Sequence, residues 1–423
     1  MTELKDTAEH KTKAVLVSAD TGEFDAERSI DELEELAKTA EAEVVAKVIQ
    51  KRPAYDSATC IGSGRLEELA GECEALEAEL IIFDCELTAV QVRNIEKILD
   101  IRVIDRTTLI LDIFAQRALS KEGKLQVELA QQRYRLPRLA GKGVQLSRLG
   151  GGIGTRGPGE TKLETDKRHI RTRIAALEAE IKELEERREM HRKRRKKDNV
   201  IVGAIVGYTN VGKSTLLNAL TDAGVLAENK LFATLDTTSR SLELPDGRRV
   251  LLVDTVGLIR RLPHHLVDAF KSTLEEAASA DIIIHIIDAS ADDAAEQADV
   301  TRKLLAELGC EDIPQINVLN KCDKLPGSAN FACDETTVRI SAKEKQGFDD
   351  LLDCIAANLP QTSKRMRLLI PYDKTSLIGN IRTEGKIFSE EYLPEGTLID
   401  ALVDNKILYM FEGYEAGQQS NIC

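Results

Sequence analysis

Short apolar runs alternate with amphipathic stretches over the first hundred residues of this chain. Four runs have the length and the Val, Ile and Leu content of buried strands, and three intervening stretches place apolar residues at helical spacing. The predicted strands are Ala14–Val17, Glu43–Ile49, Glu79–Asp84 and Ile101–Ile104, and the predicted helices are Glu27–Thr39, Arg65–Leu76 and Thr88–Leu99. This alternation predicts a small parallel sheet covered by helices.

Two heptad patterns come next and indicate a pair of long helices. In each pattern, apolar residues recur at the three- and four-residue spacings of a seam between packed helices. The first seam consists of Leu111, Ala115, Ala118, Leu125, Leu129 and Leu136, and the second consists of Leu163, Ile170, Ile174, Leu177, Ile181 and Leu184. Because a short segment joins them, they predict an antiparallel helical hairpin, although two core helices of a bundle would give the same pattern.

The segment between the two predicted helices, residues 138–160, is rich in glycine and positively charged. Eight of its 23 residues are glycine and four are Lys or Arg, whereas Glu160 is its one acidic residue. This composition is that of a flexible linker. Glycines also let a backbone approach a phosphate-rich surface closely, and on this alternative Arg148 and Arg156 are candidate RNA contacts.

After the hairpin, an apolar strand over residues 199–206 runs into a glycine-rich loop and then into a helix over Thr215–Leu220. The loop has the spacing G-x-x-x-x-G-K-S, in which backbone N–H groups and the helix N-terminus cradle phosphate oxygens. Its residues are Gly207, Tyr208, Thr209, Asn210, Val211, Gly212, Lys213 and Ser214. We expect the Lys213 ammonium to reach the β- and γ-phosphates and the Ser214 hydroxyl to bind Mg²⁺.

Three companion motifs follow in order, each directly after a predicted strand. They are the D-x-x-G motif Asp254, Thr255, Val256 and Gly257, then Asn320, Lys321, Cys322 and Asp323, and finally Ser341, Ala342 and Lys343. We expect Asp254 to hold Mg²⁺ through water and the Gly257 amide to bind the γ-phosphate. The Asp323 carboxylate can accept from two N–H groups of guanine that adenine does not reproduce, so the motifs predict GTP as the substrate.

The same motifs predict the remaining contacts of the base. We expect Lys321 to lie over the guanine ring and Asn320 to brace the loop that carries it. The segment Ser341–Lys343 should donate a backbone amide to guanine O6.

The candidate first switch lies between the phosphate loop and Asp254. It consists of Phe232, Ala233, Thr234, Leu235 and Asp236. Thr234 is the candidate for a second side-chain ligand of Mg²⁺ when GTP is bound. The predicted metal ligands are therefore Ser214, Thr234 and Asp254.

One residue that many GTPases use to hydrolyse GTP is replaced in this sequence. Leu258 stands where many GTPases carry a glutamine that orients the attacking water, so we expect slow intrinsic hydrolysis. Asn210 could hold a K⁺ ion that supplies positive charge near the phosphates, although a loop-bracing hydrogen bond is the alternative. The predicted catalytic residues are Lys213, Thr234, Gly257 and Asn210.

The charge of the chain is unevenly distributed along the sequence. The formal charge of the chain is −14, yet residues 133–197 contain 20 Lys and Arg against 9 Asp and Glu. That local charge of +11 leaves −25 for the remaining residues. A basic element on an acidic body indicates a polyanionic partner.

Length and composition set the remaining expectations. A chain of 423 residues exceeds one hydrophobic core, and we predict domains at 1–108, 109–198, 199–360 and 361–423. The last is predicted to be a small α+β domain with strands at 365–370, 386–391 and 406–411 around a helix at 376–383. No apolar run is long enough for a membrane span, the eight cysteines form no C-x-x-C pair, and we expect a cytoplasmic monomer with reduced thiols.

With these motifs the chain resembles the HflX family of translational GTPases, in the Obg-HflX group. The resemblance covers nearly the whole chain, and its most specific stretches are Gly151–Glu164, Phe232–Thr238 and Asp254–Glu276. It implies an N-terminal α/β domain, a helical hairpin, a phosphate-loop GTPase domain and, in some members, a small C-terminal domain. It also implies that the hairpin tip enters the peptidyl-transferase region. Thr237 replaces a proline that is common in the family.

Together these observations predict an α/β phosphate-loop GTPase whose switch acts on the large ribosomal subunit and its rRNA. The resemblance implies that it splits or rescues ribosomes that are stalled or hibernating under stress. A GTPase of tRNA modification or RNA remodelling is the alternative, and it would need a second substrate pocket that the sequence does not reveal. A plain RNA-binding module with a structural nucleotide is a third possibility.

Overall fold

The computed structural model describes residues 11–139, 158–198, 200–221, 231–232, 238–261, 276–325, 335–360 and 363–416. Within these residues, three sheets and a long helical hairpin are arranged along the chain in the predicted order. The predicted fold class, an α/β protein with a phosphate-loop domain, is confirmed, while the exact domain boundaries stay predictions.

The N-terminal sheet is parallel and has four strands in the order β2-β1-β3-β4. Its elements are β1 (Lys13–Asp20), α1 (Ala26–Thr39), β2 (Glu43–Lys51), α2 (Ser63–Leu76), β3 (Leu80–Phe83), α3 (Ala89–Leu99) and β4 (Arg102–Asp105). Local chemistry sets the helix starts: the Asp25 carboxylate caps α1, and Thr88 and Gln91 form a reciprocal capping box at α3. All seven predicted elements are therefore confirmed.

The first heptad seam belongs to two helices and not to one, which corrects the prediction. Helix α4 (Arg106–Arg117) packs into the N-terminal core through Ile110, Ile113 and Phe114, and it ends before Ala118. Helix α5 (Lys121–Arg138) then starts anew, because the Ser120 hydroxyl accepts from the Gly123 amide at 2.8 Å. The first arm of the hairpin therefore begins at Lys121.

The second arm is α6 (Pro158–Lys197), a helix of 40 residues that spans about 60 Å at 1.5 Å per residue. Leu125 and Leu129 of α5 pack against Leu177 and Ile181 of α6, as the heptads predict. Ion pairs join the arms in reverse order, with Arg188 near Glu122 and Arg133 near Glu178, so the hairpin is antiparallel.

Two details of the predicted linker 138–160 are corrected. Its end is helical, because α6 begins at Pro158, and its first residue belongs to α5. The Arg138 guanidinium donates to the Leu87 carbonyl at 2.7 Å and stacks on the Tyr134 ring, so Arg138 fastens α5 to the N-terminal domain. Arg148 and Arg156 lie outside the described residues.

The central sheet has six strands in the order β10-β9-β8-β5-β7-β6, all parallel except β6. Its elements are β5 (Ile201–Gly207), α7 (Lys213–Thr221), β6 (Thr238–Glu243), β7 (Arg249–Asp254), β8 (Ile282–Asp288), α8 (Ala294–Glu307), β9 (Gln315–Asn320), β10 (Thr337–Arg339) and α9 (Phe348–Asn358). The chain reverses its winding between β5 and β8. In open α/β sheets, ligands bind at the carboxyl ends of the strands at such a reversal.

The C-terminal sheet is antiparallel, with strands β11 (Ser363–Ile370), β13 (Gly396–Asp404) and β12 (Gly385–Leu393) in that spatial order, and α10 (Ser376–Glu384) packs on it. The predicted strand at 406–411 is wrong. Residues Leu408–Phe411 form a 3₁₀ helix that buries the Phe411 ring, and the central strand β13 was missed.

Polar contacts join the parts of the chain. The Glu276 carboxylate forms ion pairs with Arg192 and Arg195, which lie in the last turns of α6. These ion pairs connect the hairpin to the central domain. In the C-terminal sheet, Lys386 pairs with Glu243 of β6. None of the helices in the described part of the chain is both long and apolar enough to cross a bilayer.

Candidate nucleotide-binding site

The phosphate loop leaves the carboxyl end of β5, in the middle of the central sheet, and enters α7 at Lys213. Two of its glycines are required by close packing. A Cβ on Gly207 would lie 2.4 Å from the Ile286 carbonyl oxygen, and one on Gly212 would lie 2.4 Å from Asn320 Nδ2. Gly212 also has a φ of +99°, which side chains disfavour. The residues 207–214 therefore form a tight loop that packs against Ile286 of β8 and Asn320 of β9.

Lys213 is buried at the centre of this loop, with only 6% of its surface exposed. Its Nζ donates to the carbonyls of Tyr208 at 2.7 Å and Gly207 at 3.1 Å. Burial lowers the pKa of the Lys213 ammonium to about 8, against a smaller opposing effect of the Asp254 carboxylate. A desolvated cation held in this way is suited to bind phosphate oxygens.

Ser214 and Asp254, two predicted metal ligands, are brought together by α7 and β7. The Ser214 hydroxyl donates to Asp254 Oδ2 at 2.7 Å, and Asp254 is completely buried at the end of its strand. A hydroxyl beside a buried carboxylate is a set of hard oxygen donors, which Mg²⁺ prefers when phosphates complete its coordination. The residues present therefore fit a magnesium ion.

The D-x-x-G segment lies directly on the phosphate loop. Thr255 anchors it, because its hydroxyl donates to the Ile205 carbonyl at 2.8 Å, and Val256 is buried. The Thr209 amide donates to the Leu258 carbonyl at 2.8 Å, and the Leu258 amide donates to the Gly207 carbonyl at 3.2 Å. These two bonds bring Gly257 beside Lys213.

Asn320 connects three of the predicted motifs. Its Nδ2 donates to the Val211 carbonyl at 2.7 Å, and its Oδ1 accepts from the Ala342 amide at 2.9 Å. Asn320 thus connects its own loop to the phosphate loop and to the Ser341–Lys343 segment, as the bracing role expected of it requires. The Ala342 amide is engaged by this contact, whereas the Lys343 side chain is exposed.

Lys321 and Asp323 belong to the same turn and contact different neighbours. Lys321 has a left-handed backbone, with φ +62°, and its Nζ contacts the Asn210 carbonyl at 2.8 Å and Asp288 Oδ2 at 2.7 Å. The Ser341 hydroxyl donates to Asp323 Oδ1 at 2.6 Å, and this hydrogen bond holds the pKa of Asp323 below its usual value. The Cys322 amide donates to the Ile340 carbonyl, and this bond fixes the main chain of the turn.

Several predicted residues are placed elsewhere or lie outside the described residues. Phe232 packs its ring edge-on against Phe114 of the N-terminal domain, with centroids 4.6 Å apart. Ala233, Thr234, Leu235 and Asp236 lie outside the described residues, so the ligand role of Thr234 stays a prediction.

Two contacts of the site were missed in the sequence. Asp288 ends the apolar strand β8 at the same edge as the phosphate loop, and its position after the strand could have identified it as the partner of Lys321. The Tyr208 hydroxyl donates to Glu32 Oε1 at 2.7 Å, across 176 positions of sequence. Nothing in the local pattern indicates that second contact.

Comparison with known proteins matches three family models in sequence order. They are described as GTP-binding GTPase N-terminal (residues 27–115), GTP-binding GTPase Middle Region (residues 117–195) and 50S ribosome-binding GTPase (residues 202–321). Among solved structures, a GTP-binding protein from the archaeon Sulfolobus solfataricus in complex with GDP is similar, at 25% identity and a TM-score of 0.44, covering 82% of this chain and 98% of that one.

Curated relatives are similar over almost the whole chain. The protein named GTPase HflX from Caldanaerobacter subterraneus is 51% identical over 407 residues, which cover 96% of this chain and 94% of that protein. The protein of the same name from Lacrimispora saccharolytica is 49% identical over 410 residues, which cover 96% and 97%. With this degree of identity over nearly full length, and with the phosphate-loop, D-x-x-G and Asn320–Asp323 motifs assembled at one sheet edge, the chain belongs to the HflX family of GTPases, enzymes that hydrolyse GTP.

Proposed function

We propose that this GTPase binds the large ribosomal subunit in its GTP-bound state and splits or rescues ribosomes that are stalled or hibernating under stress. The observation that carries the proposal is the hairpin. It extends for about 60 Å, it lies in a region with a local charge of +11, and its two arms flank the glycine-rich segment. The description of the family model over residues 202–321, a 50S ribosome-binding GTPase, supports the same partner.

The nucleotide roles are part of the proposal. The Asp323 carboxylate, held by Ser341, reads guanine, and Lys321 lies beside the base between the phosphate loop and Asp288. Lys213 and the Gly257 amide bind the β- and γ-phosphates. These groups select GTP because adenine would leave the Asp323 carboxylate without its two donors.

Mg²⁺ is the proposed cofactor, held by Ser214, by Asp254 through water and by Thr234. It would neutralise charge that develops on the β- and γ-phosphate oxygens. A K⁺ ion is proposed at Asn210, whose side chain is exposed on the phosphate loop. It would add positive charge near the β- and γ-phosphates.

The direct test is cosedimentation of the full chain with purified large subunits, with a non-hydrolysable GTP analogue or with GDP. We expect pelleting with the large subunit and the analogue, and little pelleting with GDP or with small subunits. A second arm follows dissociation of intact ribosomes by light scattering. Equal pelleting with both nucleotides, or binding to free tRNA in place of subunits, would contradict the proposal and favour a factor of RNA modification or remodelling.

A further inference from the structure

Two cysteines meet at the carboxyl edge of the N-terminal sheet, and neither belongs to the motifs of the nucleotide site. Cys85 follows the end of strand β3, and Cys60 lies in the loop between β2 and α2, residues 52–62. Their sulfur atoms are 3.2 Å apart, and both thiols are free. A disulfide bond holds its sulfurs about 2.0 Å apart, so these two atoms need to approach by about 1.2 Å to bond.

The loop that carries Cys60 is held in place by several hydrogen bonds. The main chains of Asp56 and Cys60 exchange two hydrogen bonds of 2.9 Å, and the Asp56 carboxylate accepts from two amides of the same loop. Gln91 of α3 donates to the Asp56 carbonyl at 2.8 Å. These bonds hold Cys60 at φ +67°, a left-handed conformation that side chains disfavour. The surrounding contacts therefore fix the position from which Cys60 faces Cys85.

The two thiols differ in their access to solvent and share one hydrogen bond. Cys60 is 1% exposed and packs in the apolar cluster under the sheet, whereas Cys85 is half-buried. The hydrogen bond with Cys60, followed by burial, raises the pKa of the Cys85 thiol, against a smaller opposing effect of the Arg261 guanidinium. The pair therefore gives up a first proton more readily than a second. The remaining S–H can donate to the resulting thiolate, which is the form that attacks an oxidant.

We propose that Cys60 and Cys85 are a site of reversible oxidation, which a peroxide converts into a disulfide bond at the carboxyl edge of the N-terminal sheet. In the first step, the Cys85 thiolate attacks one oxygen of hydrogen peroxide, the O–O bond breaks, and a sulfenic acid and hydroxide form. In the second step, the Cys60 sulfur attacks the sulfenic sulfur, the S–O bond breaks, and the oxygen leaves as water with the remaining thiol proton. In total, two thiols and one peroxide give one disulfide and two waters.

The disulfide joins the loop at residues 52–62 to the end of strand β3 and closes a ring over residues 60–85. A cross-link of this kind stabilises a fold mainly by restricting the unfolded chain. A dithiol reductant reverses it by thiol–disulfide exchange. Neither step involves the nucleotide or the ribosome, so the inference is independent of the proposed function.

The test oxidises the reduced full chain with hydrogen peroxide and maps its thiols by mass spectrometry without reduction. Trypsin leaves Cys73 and Cys85 on one peptide, so a protease that cleaves after glutamate is added to separate them at Glu77 or Glu79. We expect a linked pair of peptides that contains Cys60 and Cys85 and is two hydrogen atoms lighter than the free peptides. The oxidised chain should need more urea to unfold. Dithiothreitol should remove both the linkage and the gain in stability.

Variants assign a role to each thiol. Cys85→Ser should abolish the linkage, whereas Cys354→Ser, at another half-buried cysteine, is the matched control and should leave it unchanged. In Cys60→Ser the sulfenic acid at Cys85 has no neighbouring thiol to attack it. Its trapping by dimedone should therefore rise by about 10-fold or more over the parent, because a thiol held beside the sulfur outcompetes a reagent in solution.

Two results would overturn the proposal. The first is a chain in which Cys354 is oxidised while Cys60 and Cys85 stay free thiols, or in which Cys85 links to Cys73 as often as to Cys60. The second is a dimedone yield at Cys85 that the loss of the Cys60 thiol leaves unchanged. Cys60→Ala is made beside Cys60→Ser, because it places no hydroxyl in the apolar cluster, and thermal unfolding verifies that each variant is folded.

Discussion

The Asn320 side-chain amide donates to the Val211 carbonyl at 2.7 Å, and this bond joins the Asn320–Asp323 motif to the phosphate loop. The same side chain accepts from the Ala342 amide. Asn320→Asp keeps the acceptor but places a carboxylate against the Val211 carbonyl. We expect affinity for GTP and GDP to fall together by about 10- to 100-fold, the cost of losing a buried hydrogen bond and adding repulsion. Asn358→Asp, the same substitution at the end of α9, should leave nucleotide affinity unchanged in the same titration.

The proposed determinant of base choice is the Asp323 carboxylate, to which the Ser341 hydroxyl donates at 2.6 Å. Asp323→Asn turns a pure acceptor into a group with a donor, which suits xanthine better than guanine. We expect GTP affinity to fall by about 100-fold or more and XTP affinity to rise. Ser341→Ala keeps the carboxylate and should weaken GTP without favouring XTP. Unchanged GTP affinity in Asp323→Asn would show that the base binds elsewhere.

The strand ends of the nucleotide site could be predicted from sequence because each motif directly follows an apolar run. Parallel strands bring their carboxyl ends to one edge, so Ser214, Asp254 and Asn320 had to lie near one another. The hairpin core could be predicted for a similar reason, since Leu125 and Leu177 lie on a sustained heptad pattern.

Features that depend on contacts between residues distant in sequence could not be predicted from the local pattern. The heptad continues through Ala118, but a cap at Ser120 starts a new helix, and the burial of Phe114 draws α4 into the N-terminal core. Near the C-terminus, the apolar run that ends at Phe411 suggested a strand. The run is instead a short 3₁₀ helix, because the Phe411 ring packs in the same apolar cluster as residues of β13. The contact between Tyr208 and Glu32 leaves no local signal at all.

The burial of Lys213 is expected to favour nucleotide binding but to lower the stability of the nucleotide-free protein. Its pKa is about 8 in the folded protein and near 10.5 when unfolded, so below pH 8 both states are protonated and folding carries the full cost of burying the charge. Between pH 8 and 10.5 the folded state has released the proton, so this cost decreases as the pH rises. Lys213→Met should therefore raise the free energy of unfolding of nucleotide-free protein at pH 7 by about 2 kcal/mol.

Urea unfolding at pH 7 and pH 10 measures this effect. The stability gain of Lys213→Met over the parent should shrink at pH 10, and added GTP should stabilise the parent alone. Lys343→Met, at a side chain that is 79% exposed, is the control and should show neither effect. A loss of stability in Lys213→Met at pH 7 would mean that its bonds to the loop carbonyls outweigh desolvation.

The glycine-rich segment is expected to act through its charges. Arg148→Ala with Arg156→Ala should leave GTP affinity intact and weaken association with large subunits. The magnitude of the slope of log affinity against log salt should decrease by about 1.4, which is about 0.7 for each of two lost phosphate contacts. Arg187→Ala with Lys193→Ala removes two charges that pair along α6 with Glu183 and Glu189, and it should change the slope much less. An unchanged slope for the first pair would favour the linker interpretation.

The side chain of Leu258 is 3% exposed and lies in the same apolar cluster as the phosphate-loop residue Val211. It cannot orient the attacking water, both because it is an alkyl group and because it points into the core. We therefore expect slow hydrolysis by the isolated protein, a large gain with large ribosomal subunits, and a smaller gain when K⁺ replaces Na⁺. Fast turnover that is insensitive to both would contradict this account.

Variants at Leu258 separate chemistry from packing. Leu258→Ala should lower the free energy of unfolding by about 2–4 kcal/mol, because it leaves a cavity, yet stimulation by the ribosome should survive in the folded fraction. Leu258→Gln should gain no intrinsic rate, since a buried amide cannot reach the γ-phosphate from the core. Lys213→Ala and Thr234→Ala should abolish stimulation, because each removes a proposed contact to the reacting phosphate or its metal. Single-turnover hydrolysis with saturating subunits measures all four, and a Leu258→Gln variant that hydrolyses GTP faster alone would place this side chain at the water after all.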